Sequence, residues 1–195
     1  MDKKKDKLLQ VYQAALKIFA RYGYRRARIE DIADELGMRK GSLYNYIETK
    51  KELYEETIVY ALIEWQAAAR KISDKIMDPS EQLATYAING LSYLLKNDDL
   101  RKIIADDPSI FPTAKKQDRF SMLNQASIDI VESIIQRGID ERCFCKINAK
   151  QAAETLYSIY IFYINKINMD SNDKSSLKNF KDVLPIFFNG LLIRG

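Results

Sequence analysis

The chain has no histidine among its 195 residues. That removes the commonest general base and the commonest metal ligand together. It has two cysteines, Cys143 and Cys145, and residues at i, i+2 do not readily bridge one another, so no disulfide scaffold is expected. A Cys-x-Cys pair without further ligands is a poor zinc site and reads as two small side chains near a helix end. With 7 Gly and 4 Pro, turn residues are too few for a many-stranded β fold. No apolar run approaches the roughly 20 residues of a membrane-spanning helix. The stretch from Ile159 to Ile164 contains Tyr160 and Tyr163 and is followed by Asn165 and Lys166. The charged start, Met1 to Lys7, lacks the apolar core of a secretion signal. Phosphate-cradling glycine loops, metal-ligand spacings and nucleophile motifs are also missing. These absences predict an all-α protein of the cytoplasm, without metal, cofactor, membrane partner or enzymatic activity.

What is present is unevenly charged. Met1 to Lys51 carries 13 Lys and Arg against 7 Asp and Glu, net +6, while the remainder carries 18 against 20, net −2. Phosphate neutralisation by Lys and Arg supplies most non-specific nucleic-acid affinity, so the amino-terminal part is the one expected to face a polyanion.

The same part carries a helical motif. Leu8, Val11, Tyr12, Ala15, Leu16 and Phe19 form the apolar stripe of a first helix with Gly23 as its C-cap candidate. Ile29, Ile32, Ala33 and Leu36 repeat the pattern, with Glu30 and Asp31 in the first turn and Gly37 at the end. After a brief turn, a third helix is predicted over Lys40 to Ile47, with Leu43 and Ile47 inward and Lys40, Ser42, Tyr44, Asn45 and Tyr46 outward. This is the pattern of a helix-turn-helix. Thr49-Lys50-Lys51-Glu52 then reads as a capping box opening a fourth helix. The first amides of that helix and the Lys50 ammonium are expected to converge where a DNA phosphate oxygen would lie.

The run from Gly37 to Leu53, preceded by Ala14-Ala15, Phe19, Gly23 and Ile32-Ala33, resembles the DNA-binding domain of the TetR family of bacterial transcriptional regulators. The resemblance covers about a quarter of the chain. It implies that Tyr44 and Asn45 approach base edges or thymine methyls, and that Lys40, Ser42, Tyr46 and Lys50 contact mainly phosphate. Where family members usually carry Ser or Thr as the caps of helices two and three, this chain has Arg28 and Arg39. Both are expected to act on DNA instead, Arg39 at the base or phosphate edge and Arg28 on the flanking backbone. Ile47 replaces the usual Phe.

The expected architecture is a helix-turn-helix domain over residues 1–51 and an effector-binding and dimerisation domain over 52–195, about nine helices in all. Helix four is predicted from Lys50 to about Ile76, roughly 40 Å. Asp78-Pro79-Ser80-Glu81 opens a helix to about Lys96, and a short one covers Asp99 to Asp106. Pro108 and Pro112 break the chain. A helix follows from about Ala114 to Arg137 before Gly138, then two more from Ala149 to Ile167 and from Asp173 to Leu192, the latter kinked at Pro185. In the first of these two, apolar residues cover nearly the whole circumference, which implies a second buried face. By resemblance these two helices pair with their copies in a four-helix dimer interface, with Tyr160, Tyr163, Ile164, Phe180, Leu184, Phe187, Phe188 and Leu191 as its candidates.

Tyr60, Trp65, Tyr86, Tyr93, Phe111, Phe120 and Tyr157 are candidates for lining an effector pocket between helices four and eight, although core packing is the commoner use of such residues. No charged cluster stands out there, which favours a largely apolar or aromatic small molecule. The expected function is a homodimeric repressor on double-stranded operator DNA with half-sites about 34–36 Å apart, released by that effector. The alternative is a DNA-binding regulator controlled by a protein partner or lacking a small-molecule effector.

Overall fold

Helix boundaries follow from local side-chain chemistry, and the computed structural model, which describes residues 3–112, 119–169 and 175–191, shows which signals prevail. Among these residues there are nine α-helices, one short 3₁₀ turn at Pro108–Ile110 and no strand. They are α1 (Lys3–Arg26), α2 (Ile29–Glu35), α3 (Lys40–Leu43), α4 (Lys50–Ser73), α5 (Pro79–Lys96), α6 (Asp98–Asp106), α7 (Ser121–Asp140), α8 (Ala149–Met169) and α9 (Ser175–Leu191). None of the described helices is long and apolar enough to cross a membrane.

Caps account for the starts. The Asp78 carboxylate accepts the Glu81 N–H at 2.8 Å before α5, and the Asn148 side-chain oxygen accepts the Gln151 N–H at 3.0 Å before α8. Both satisfy amides that have no intrahelical partner. Regular α4 ends at Ser73 rather than Ile76, because Lys75 and Ile76 bond three residues back in a tightened last turn.

Gly138 does not end α7. The helix runs on to Asp140, and the left-handed residue that closes it is Arg142, at φ 60°. The Cys143 N–H reaches the Gly138 carbonyl at 2.8 Å and the Arg142 N–H reaches Ile139 at 3.0 Å, the paired bonds of a left-handed cap. Glycine is needed at 138 for a different reason: the fully buried Phe144 ring fills the space that a side chain there would occupy. Cys143 and Cys145 flank this ring as free, half-buried thiols. The start expected for this helix, at Ala114, lies outside the described residues.

The chain forms two compact units, Met1–Glu64 with Asn97–Asp107, and Trp65–Lys96 with Pro108–Gly195. In the first, Val11, Ala15, Ile18 and Phe19 of α1 are buried with Ile32 of α2, Leu43 of α3, and Leu53 and Ile58 of α4. α6 packs on α1 with Leu100, Ile103 and Ile104 buried, and the Tyr54 hydroxyl donates to the Asp107 carboxylate at 2.9 Å. In the second unit α7 packs on α5 and α8, and α9 on α5 and α8. Arg137 of α7 donates to the Met77 carbonyl and to the Gln82 side chain, both at 2.6 Å, tying α7 to the start of α5.

Gly138→Ala is expected to cost about 1–3 kcal/mol through overpacking against Phe144. Arg142→Gly is expected to gain up to about 1 kcal/mol by relieving the left-handed conformation. Urea unfolding midpoints should therefore move in opposite directions, and a shared direction would contradict this account of the α7 end.

Candidate nucleic-acid interface

The helix-turn-helix is built from three short segments with distinct endings. Arg28 stands at the N-cap of α2 in extended conformation, and the Asp31 carboxylate accepts its N–H at 3.0 Å. A guanidinium has no acceptor to return the bond, so the Arg28 side chain projects free of the cap. At the other end Gly37, at φ 61°, supplies the left-handed residue, with the Met38 N–H on the Ala33 carbonyl at 2.8 Å. Arg39 follows as the N-cap of α3 and makes no side-chain cap bond.

Regular α3 is only Lys40–Leu43, shorter than the Lys40 to Ile47 helix expected. Asn45 and Tyr46 continue it through bonds to residues three back. The reason lies downstream. The Glu52 carboxylate accepts the N–H of Glu48 at 2.7 Å and of Thr49 at 3.2 Å, while the Thr49 hydroxyl accepts the Glu52 N–H at 3.0 Å. Amides held by this box cannot extend α3, so its last turn tightens. Leu43 and Ile47 are both buried, which fixes the outward side. Lys40, Tyr44 and Asn45 are exposed there, and Ser42 and Tyr46 are half-buried.

Charge pairing divides the basic residues. The Lys40 ammonium lies 2.5 Å from the Glu30 carboxylate, joining α3 to α2. The hydrogen bond from Lys40 holds the Glu30 carboxyl below its ordinary range, and the same bond raises the Lys40 ammonium. Lys17 pairs with Glu35 at 3.2 Å and Lys51 with Glu55 at 4.0 Å. Lys50, expected at a phosphate, donates to the Arg25 carbonyl at 3.3 Å and lies 4.7 Å from the Tyr24 ring centre. Among the described residues neither Arg28 nor Arg39 has a carboxylate within 4 Å.

The other candidates fall in different places. Tyr60 belongs to the first unit, where its hydroxyl accepts from Gln13 at 3.1 Å and its ring meets Tyr12. Trp65, Tyr86, Tyr93, Phe111, Phe120 and Tyr157 belong to the second. There Trp65 makes ring contacts with Phe111 and Tyr160 and donates its indole N–H to the Gly90 carbonyl at 2.6 Å. Phe120 is buried, and the Tyr86 hydroxyl bonds with Ser127. Burial raises the Tyr86 phenol and raises that of Tyr160 well above its ordinary value, so both stay neutral. Sequence reading missed Asn89, whose buried amide nitrogen has no hydrogen-bond partner among the described residues, and Gly90, against which the Tyr160 hydroxyl packs directly. A glycine inside a helical pattern was the available signal.

The candidate dimer residues are for the most part turned inward in the single chain. Tyr163, Ile164, Phe180 and Leu184 are buried within the single chain, and Tyr160 and Tyr163 pack their rings on Phe180. Phe187 is half-buried, and the side chains of Phe188 and Leu191 lie outside the described residues. The apolar residues turned outward are instead Phe162 on α8 and Val183 and Ile186 on α9. Because α8 is apolar all round, its pattern did not distinguish the face packed on α9 from the face left open.

Residues 11–57 match the family described as bacterial regulatory proteins, tetR family. The chain is 26% identical over 139 residues to the HTH-type transcriptional repressor KstR2 of Mycobacterium tuberculosis, covering 69% of this chain and 68% of that one. Its fold superposes on a TetR transcription regulator from Haloarcula marismortui with a TM-score of 0.82 at 22% identity, covering 97% and 100% of the two chains. It also superposes on FadR from Bacillus subtilis, solved in complex with stearoyl-CoA, with a TM-score of 0.80 at 16% identity, covering 93% and 98%. The outward-facing helix-turn-helix and this matched segment coincide, and over residues 11–57 the chain is similar to the tetR family of bacterial regulatory proteins, which supports a DNA-binding transcriptional regulator.

Proposed function

We propose that this regulator acts in the cytoplasm as a homodimeric repressor, with residues 1–51 reading an operator and residues 52–195 binding an effector and the second subunit. The observation that carries the DNA reading is the short α3 segment held by buried Leu43 and Ile47, with Arg39, Lys40, Tyr44 and Asn45 exposed on its other side. In this reading Tyr44 and Asn45 meet bases, Arg39 meets a base or phosphate edge, and Arg28, Ser42 and Tyr46 meet the backbone. Lys40 and Lys50 join them only by leaving Glu30 and the Arg25 carbonyl. Selection from a random duplex pool should enrich a palindrome with half-sites about 34–36 Å apart. Arg39→Ser should weaken binding to that operator about tenfold or more, while the new serine cap adds about 0.5–2 kcal/mol to stability. Undiminished affinity would remove Arg39 from the interface.

The outward apolar residues of α8 and α9 support self-association. Phe162 and Ile186 are 63% and 71% exposed in the single chain, an arrangement that a second copy of the same surface would cover. Phe162→Glu with Ile186→Glu should halve the mass seen by sedimentation and leave helix content intact. A persistent dimer would place the interface elsewhere.

The aromatic interior of the second unit supports a largely apolar or aromatic effector. Trp65, Phe111 and Tyr160 provide rings, neutral Tyr86 and Tyr160 provide hydroxyls, and the unpartnered Asn89 amide offers one further polar contact. α4 carries residues of both units, so a ligand with different affinity for two positions of this helix would shift the operator-binding equilibrium. Trp65 is the single tryptophan of the chain and reports directly on this interior. Stearoyl-CoA, the ligand of the FadR structure, is the first compound to titrate. Binding should change Trp65 emission, stabilise the fold by about 2.7 kcal/mol at a hundredfold excess over Kd and release the operator. Emission changes without operator release would break the proposed coupling.

A further inference from the structure

The turn between α1 and α2 carries exposed positive charge. Gly23 takes φ 71° and ψ 160°, a conformation that breaks the helix and is open to glycine alone. The chain then re-forms one turn, closed by the Ala27 N–H on the Gly23 carbonyl at 3.1 Å and anchored by the buried side chains of Ala27 and Ile29. With these inward, Arg25, Arg26 and Arg28 are all exposed. Lys50 fixes the turn from the other side, its ammonium on the Arg25 carbonyl and over the Tyr24 ring, and Tyr24 in turn packs on Tyr54.

Three lysines of this unit differ from these arginines. Lys17, Lys40 and Lys51 each hold a carboxylate partner. Arg28 lies close enough to Glu30 to lower its carboxyl slightly, after the larger effect of Lys40. Arg25 and Arg26 have no carboxylate within 4 Å among the described residues. Two adjacent exposed guanidiniums are thus held on an ordered turn next to the N-cap of α2, at the start of the base-reading unit. A guanidinium offers five donors in a planar fork that suits phosphate oxygens.

We propose that Arg25 and Arg26 form a second contact to the DNA sugar-phosphate backbone, flanking the segment read by α3 and independent of base sequence. The inference rests on the DNA-binding reading of the helix-turn-helix. In it Lys50 serves to position the arginine turn, and part of the phosphate neutralisation moves from Lys40, already paired with Glu30, to the two arginines.

The test is fluorescence anisotropy of the full chain on its selected operator and on an unrelated duplex of equal length, across a range of salt. Arg25→Gln with Arg26→Gln should weaken both complexes by a similar factor, about tenfold at moderate salt, and lower the steepness of log K against log salt by about 0.9 for each phosphate left without its arginine. Arg25→Lys with Arg26→Lys should keep most of the salt slope. Thermal stability should not change, since neither side chain packs. Unchanged affinity and slope in the glutamine variant, with Arg39→Ser still weakening the operator complex, would overturn the arginine contact and leave the DNA reading standing. A wild-type chain that binds neither duplex would overturn both. Weakening confined to the operator would assign these residues to base reading and also overturn the proposal.

Discussion

The reciprocal box between Thr49 and Glu52 is the constraint on which the amino-terminal unit turns. Three main-chain amides, those of Glu48, Thr49 and Glu52, are committed within it. The same bonds that open α4 close α3, so the reading segment is short because its neighbour starts where it does. With Leu43 and Ile47 buried on either side of the tightened turn, the exposed side chains in between have little freedom to rotate about the segment axis. Positioning of this kind reduces the ordering that must accompany binding.

Electrostatics is arranged on top of this frame by pairing rather than by count. A net charge of +6 over residues 1–51 suggests a uniformly basic surface, yet acidic side chains absorb three of the lysines and a carbonyl engages a fourth. Glu30 serves twice: it sits in the first turn of α2, where a carboxylate is favoured by the helix dipole, and it braces α3 through Lys40. The surface that remains for a polyanion is richer in arginine than the sequence total implies.

Legibility followed the locality of the signal. The starts of α2, α4, α5 and α8 were readable because each depends on residues within four positions of one another, as in Asp78 with Glu81 or Thr49 with Glu52. The inward placement of Leu43 and Ile47 was readable from spacing alone. Differences arose where the deciding contact was distant or where two explanations shared one residue type. Gly138 looked like a helix stop, but the space its missing side chain leaves is taken by Phe144, and an arginine adopts the left-handed turn. Tyr163, Ile164, Phe180 and Leu184 are placed at an interface by resemblance alone, and that they are buried within the single chain depends on how α8 and α9 pack, which spacing along either helix does not announce. The engagement of Lys40 and Lys50 depends on Glu30 and on the Arg25 carbonyl, and no pattern within the reading segment announces it.

The path of the chain through α6 carries a consequence for how such a protein can be recombined. The backbone leaves the first unit between Glu64 and Trp65, returns between Lys96 and Asn97, and leaves again between Asp107 and Pro108. The operator-reading unit is therefore not an amino-terminal cassette: a piece ending at Glu64 lacks Leu100, Ile103 and Ile104, which pack with α1, and lacks the Asp107 carboxylate that accepts the Tyr54 hydroxyl. A single crossover that grafts a foreign carboxy-terminal part after α4 brings a foreign α6 with it, and that helix must then fit the resident α1. Such an exchange is limited by one nine-residue helix that lies beyond α4 in the sequence and folds with α1.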